Sequence, residues 1–230
     1  MLPLAFVDLE TTGATPTADR VTEIGIVAVD ADGTVSEWQQ LVNPETGIPP
    51  FIEQLTGISN AMVADAPRFA DLAGEIGRRL DGRLFIAHNA RFDYGFLKNE
   101  FKRLGTTFRA PVVCTVKLSR ALFPEHKRHN LDSLIERHGL AAEARHRALA
   151  DAQLIHQFWQ KIHVDCSGHE IAAALKKQNA HPSLPPHLDA GIVDELPDGP
   201  GVYLFYGENK LPLYVGKAKD IRLRVLAHFS

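Results

Sequence analysis

The chain has 230 residues, 45% of them hydrophobic, and a formal net charge of −3. That length can bury one good-sized core plus a small appendage, and no apolar run approaches the roughly 20 residues needed to span a bilayer. The charge gives no global nucleic-acid signature but leaves local fields open, while two cysteines in unrelated contexts argue against a disulfide framework or a disulfide-linked partner and fit a reducing, bacterial-type cytosol.

The amino terminus has no basic stretch before an apolar core, so no signal peptide is expected. Leu4 to Leu9 read as a buried strand, and Asp8 and Glu10 share one of its faces because strand side chains alternate. Thr11-Thr12-Gly13 turn the chain. Strands at about 22–30 and 34–42 follow, joined across Asp32-Gly33, a hairpin signal. Short helices and loops lead to Pro67, then a helix at about 68–80 and a strand at 84–87. A helix at about 91–104 comes next, with Asn89 and Phe92-Asp93 in its first turn, and Pro111 to Cys114 can add a strand. Helices at about 115–122, 130–138 and 146–162 complete the unit; Ala148, Ala152 and Ile155 form an apolar stripe on the last, with Asp151 beside it. A meander followed by strand–helix alternation predicts an α/β unit with a mixed sheet flanked by helices.

Asp8, Glu10, Asp93, His146 and Asp151 would form one site if they met in space. Four carboxylates suit two hard Mg²⁺ or Mn²⁺ ions, which can hold the attacking and leaving oxygens of a phosphate. The imidazole, with a pKa near neutrality, is the candidate general base. Each residue has a plainer reading. An Asp-x-Glu at a strand end is usually a solvated turn, Asp93 could complement a helix dipole, and His146 and Asp151 could be exposed polar positions. Those coincidences would all have to occur in one chain. His126 and His129 lack a third ligand and read as a basic loop facing phosphate rather than zinc ligands. Lys117, Arg120, Lys127, Arg128, Arg145 and Arg147 are candidate backbone contacts, with a solvated surface equally open for any one of them.

FVDLETTG, HNARFD and the H-x-x-x-x-D pair together resemble the three motifs of the DEDD-superfamily exonucleases, histidine subtype, over about residues 1–163. TEIGIVAVD and LTGIS also resemble segments of that family. The resemblance implies a ribonuclease-H-like fold and metal-dependent 3′→5′ exonucleolysis, in which Asp8, Glu10 and Asp151 hold one ion and Asp8 and Asp93 the other. Thr11, Leu55, Asn89 and Phe92 would hold the terminal nucleotide, though a helical Phe is commonly core. The implied substrate is single-stranded DNA 3′ ends, in repair or proofreading, with polymerase or repair proteins as partners and no membrane. An exoribonuclease and a non-catalytic nucleic-acid-binding module remain as alternatives.

After residue 163 the composition changes. Gly168 to Lys177 can form a short helix, and QNAHPSLPPHLDAG reads as an extended linker covering the segment to residue 196; Gln178, Leu184 and Leu188 could alternatively serve as a clamp-binding peptide. From residue 197, Gly-Val-Tyr, Tyr-Val-Gly and the Lys-Ala-Lys-Asp continuation resemble the start of a GIY-YIG endonuclease domain, nearest to the incision subunit of bacterial excision repair. Tyr203, Tyr214 and Arg224 match its tyrosines and arginine. The family's metal-binding glutamate lies further on and does not occur before Ser230, so this truncated βα piece is expected to have no incision activity of its own.

Overall fold

Strand β1 (Leu4–Thr11) lies at the centre of a five-stranded sheet of order β3-β2-β1-β4-β5. In this computed structural model the described residues are 2–142, 145–178, 196–197, 199–207 and 209–229. Strand β2 (Val21–Val29) runs antiparallel to β1, and the polar edge strand β3 (Val35–Leu41) antiparallel to β2. Two short helices, α1 (Pro50–Thr56) and α2 (Asn60–Val63), precede α3 (Phe69–Leu80). Strands β4 (Leu84–Ala87) and β5 (Val112–Cys114) extend the sheet in parallel on the other side, separated by α4 (Arg91–Arg103). Helices α5 (Thr115–Leu122), α6 (Leu131–His138), α7 (Ala148–Asp165) and α8 (Gly168–Gln178) follow.

Alternation along β1 divides the core into two layers. Ala5, Val7 and Leu9 face Ile76, Leu80, Phe96 and Phe101 of α3 and α4, whereas Leu4 and Phe6 face Leu118, Leu134, Ile155 and Phe158 of α5, α6 and α7. On the second face the same alternation continues into Asp8 and Glu10. The sheet surface therefore changes from apolar to acidic over four residues, at the end where the crevice of an α/β sheet opens.

Most elements fall within two residues of the sequence expectation, with two informative departures. Helix α7 starts at Ala148, not at 146, because His146 has a left-handed backbone (φ 58°) and Arg147 an extended one (φ −134°). Asn89 is also left-handed (φ 63°) and lies ahead of α4 rather than inside its first turn. Helix α8 buries Ile171 and Ala174 in the second core layer, and Gln178 Oε1 accepts from the Cys114 amide at 3.0 Å. The first compact unit accordingly runs through Gln178.

The second unit has its own small core. Strands β6 (Gly201–Tyr206) and β7 (Pro212–Ala218) form an antiparallel ribbon, and α9 (Ile221–Leu226) buries Ile221 and Val225 against Tyr203. Asp220 caps α9 by accepting from the Leu223 amide at 2.9 Å. The proline-rich stretch, with Leu184 and Leu188, lies outside the described residues. Among the described residues no helix is long and apolar enough to cross a membrane.

Candidate active site

Asp8, Glu10 and Asp151 each present a carboxylate oxygen within 4.8 Å of the others. Strand β1 supplies the first two from one face, and the first turn of α7 supplies the third. Asp93, in the first turn of α4, is fully buried beside this group, and its Oδ1 accepts from the Leu9 amide at 3.2 Å. Asp93 thus reaches β1 from the edge of the first core layer, while Asp151 reaches it from the second.

The cost of this convergence is visible in proton affinities. Burial, then the charges of Asp93, Asp151 and Glu10, hold the Asp8 carboxyl well above the usual carboxylate range. Burial, then Asp151 and Glu23, raise Glu10 to about 7. Asp93 is raised chiefly by burial, against the opposing effect of its hydrogen bonds. A cluster of oxygen donors that repel one another and resist ionisation fits a hard divalent cation, whose charge would reverse these shifts.

Two arginines flank His146, which is exposed on the loop before α7. Arg145 pairs with Asp151 and, at 2.9 Å, with Asp132. Arg147 places Nε and Nη2 on the fully buried Glu23 of β2, the shortest contact being 2.6 Å. Both were candidate phosphate contacts, and both instead have internal carboxylate partners. In the expected phosphate-facing loop His126, Lys127 and Arg128 are exposed, but His129 is buried, with Nδ1 2.8 Å from Ser119 Oγ and Nε2 2.9 Å from the His126 carbonyl. These bonds tie the loop to α5. His88, next to Asn89, is kept neutral by burial and by Arg145, its pKa falling to about 4.

The candidate nucleotide contacts differ in exposure. Leu55 is exposed on α1 and Asn89 is exposed ahead of α4. Thr11 is buried, its hydroxyl donating to the Gly13 carbonyl at 2.6 Å. Phe92 packs partly on the first core layer, 4.8 Å from the Phe96 ring. Sequence reading passed over Glu23 as an individual residue, although a lone acid in the apolar run VTEIGIVAV signals a buried partner.

In the second unit, Tyr203 is buried and Tyr214 is exposed, with ring centroids 5.9 Å apart. Tyr203 Oη lies 2.9 Å from His228 Nε2. Hydrogen bonds to both tyrosines raise the pKa of the exposed Arg224 further. The ribbon and α9 thereby bring the three candidate residues together.

The model of the exonuclease family matches residues 5–158, and that of the UvrC-like GIY-YIG domain matches residues 199–230. A Mycobacterium tuberculosis protein named as a bifunctional exonuclease/endonuclease is 35% identical over 97% of this chain, which spans 36% of that relative. The 3′-5′ exonuclease DinG of Bacillus subtilis is 40% identical over 64% of the chain, corresponding to 16% of its own length. Among solved structures, exonuclease X in complex with 5′ overhanging duplex DNA matches with a TM-score of 0.59 at 26% identity, covering 75% of this chain and 99% of the other. Escherichia coli exonuclease I, solved with a dA16 oligonucleotide, matches with a TM-score of 0.67 at 19% identity over 79% of this chain and 44% of the other. The latter likeness bears on fold alone, and the fold is the ribonuclease-H-like one.

Proposed function

Since the chain belongs to the exonuclease family, we propose that it removes nucleotides from DNA 3′ ends by divalent-metal-dependent hydrolysis of phosphodiester bonds. The observation that carries this reading is the convergence of Asp8, Glu10 and Asp151 at the open end of the sheet, with Asp93 alongside. Asp8, Glu10 and Asp151 would hold one Mg²⁺ or Mn²⁺ ion, and Asp8 and Asp93 a second. Bound there, such ions supply Lewis-acid polarisation of the phosphate and stabilise developing charge on the attacking and leaving oxygens.

The protein's own residues supply placement and proton transfer. His146 takes the proton of the attacking water, a task suited to an exposed imidazole on the loop that leads into the helix bearing Asp151. Leu55, exposed on α1, offers an apolar surface to the terminal base, and Asn89 a polar contact to the chain end. DNA is favoured over RNA by the complex of exonuclease X with 5′ overhanging duplex DNA. The two free cysteines, Cys114 and Cys166, fit a reducing cytosol. A division of labour follows, with the unit through Gln178 as exonuclease and the ribbon from residue 199 as part of a GIY-YIG domain.

End-labelled single-stranded DNA and RNA oligonucleotides of one sequence, incubated with Mg²⁺ or Mn²⁺, provide the test. Stepwise shortening of 3′-end DNA, absent with Asp8→Ala, is expected. Faster shortening of RNA would move the substrate assignment, and metal-dependent activity surviving Asp8→Ala would remove the site.

A further inference from the structure

We infer that Glu23 and Arg147 form a positioning clamp that fixes the backbone of His146 and thereby sets the rate of proton transfer. The inference rests on the exonuclease reading above and adds a role for two residues outside the carboxylate cluster.

His146 is a non-glycine residue in the left-handed region, φ 58°. Such a conformation persists only where the surroundings over-determine it. The determining contacts are on the following residue. Arg147 Nε donates to Glu23 Oε2 at 3.1 Å and Nη2 to Oε1 at 2.6 Å, a two-point fork that fixes both orientation and distance. Glu23 lies on β2 with no solvent exposure, so the anchor is held by the packed sheet.

The same carboxylate performs a second task. Helix α7 has Arg147 at its N-cap position, and that side chain makes no cap bond of its own. Glu23 Oε2 instead accepts from the Ala148 amide at 2.9 Å, capping the helix from across the sheet. Arg147 in turn offers its carbonyl to the Asp151 amide at 3.0 Å. One buried acid therefore fixes the residue after the candidate base and the start of the helix bearing a candidate metal ligand. Gln39 Nε2, donating to Glu23 Oε1 at 2.7 Å, holds the acid from the neighbouring strand.

Arg147 remains distinct from the chemistry. Its guanidinium is engaged by Glu23, and it acts on proton transfer through His146, so for that step it is a positioning residue. Misplacing a proton acceptor by about 1 Å can cost roughly 10²-fold in rate. Lysine would restore the charge opposite Glu23 but not the two-point fork.

A double-mutant cycle on the full chain distinguishes this role from general support of the fold. Arg147→Ala and Arg147→Lys are expected to lower kcat for 3′-end shortening by roughly 10²-fold; in Arg147→Lys, which keeps the charge opposite Glu23, KM and Mn²⁺ affinity (by electron paramagnetic resonance) should change less than about threefold. Arg147→Lys guards against loss of folding, since it leaves Glu23 with a cation. In the His146→Ala background Arg147→Lys should cost less than about twofold, because the group being positioned is gone. For Arg147→Lys, equal losses in both backgrounds, a parallel fall in Mn²⁺ affinity, or full activity would overturn the clamp. A separate readout does not depend on turnover: the Ala148 amide should exchange with solvent at least about tenfold faster in Arg147→Ala than in the parent chain. An inactive parent chain whose Ala148 amide behaves this way would remove the nuclease reading and the kinetic role together while leaving the anchor intact. Unchanged exchange would remove the anchor itself.

Discussion

Raising the pH should destabilise the metal-free protein across the range where most proteins are most stable. Glu10 has an ordinary pKa of 4.5 and one of about 7 in the folded site. The folded state therefore binds this proton more tightly than the unfolded chain. Its contribution is fully present below about pH 4.5 and is lost as the pH rises through about 7. That difference corresponds to a ceiling of about 3 kcal/mol. Glu10 is only partly shielded from solvent, and screening leaves roughly 1–3 kcal/mol. For a chain of this size the shift amounts to roughly 2–12 °C in Tm. Asp8 and Asp93 are raised in the same direction and reinforce the sign.

The assay is thermal unfolding in chelator from pH 5 to pH 8, followed by far-ultraviolet circular dichroism, for the parent chain and Glu10→Gln. Tm should fall with pH in the parent chain, and the fall should be shallower in Glu10→Gln, which lacks the titrating proton. Saturating Mn²⁺ should reverse the slope, since a cation competes with those protons and is favoured by their loss. A metal-free Tm that is level or rises between pH 5 and pH 8, or a Glu10→Gln slope equal to the parent's, would refute the account of the cluster as a self-repelling site.

His146→Ala should retain Mn²⁺ binding while losing roughly 10²–10⁴-fold in rate, and parental turnover across pH 6 to 9 would eliminate it as the base. Gly25→Ala would drive its Cβ into the backbone of Ala148 and Leu149; it should weaken Mn²⁺ binding roughly 10- to 100-fold in calorimetry by displacing the helix that carries Asp151. Gly216→Ala would drive its Cβ into the Tyr203 ring. It should destabilise the second unit by about 1–3 kcal/mol, read as faster amide exchange over residues 201–218 with the first unit unchanged.

The parts of the site legible in the sequence were those with a local signature. Asp8 and Glu10 interrupt an apolar strand at a spacing of two, which places both on one face without knowledge of the remaining chain. Asp93 and Asp151 were readable through their motifs, and both lie in first turns of helices. What stayed hidden has no local signature. Nothing in the sequence around His146 requires a left-handed backbone, and the helix pattern there invites an extra turn. The partner of Glu23 is 124 residues away. The same limit explains His129, whose basic context suggested phosphate while its ring satisfies Ser119 inside the fold. Charge in the sequence indicates a need for a partner but not which partner the fold supplies.

The electrostatics of β2 complete this argument. Glu10 stands opposite Glu23 in the β1–β2 ladder, and Asp8 stands opposite Gly25. An acid at position 23 raises the pKa of its cross-strand neighbour Glu10, and Arg147 lowers it again. The pair on Glu23 therefore has two physical consequences at once: it anchors the start of α7, and it offsets a negative charge that would otherwise disfavour ionised Glu10. Gly25 supplies the room for that helix to approach the sheet directly over the strand next to Asp8. Removing the Arg147 cation should leave Glu10 facing an uncompensated carboxylate and push its pKa higher still. Arg147→Lys, which conserves the charge but not the two-point fork, separates the two effects, since metal binding at neutral pH depends on an ionised Glu10 while proton transfer depends on where His146 stands.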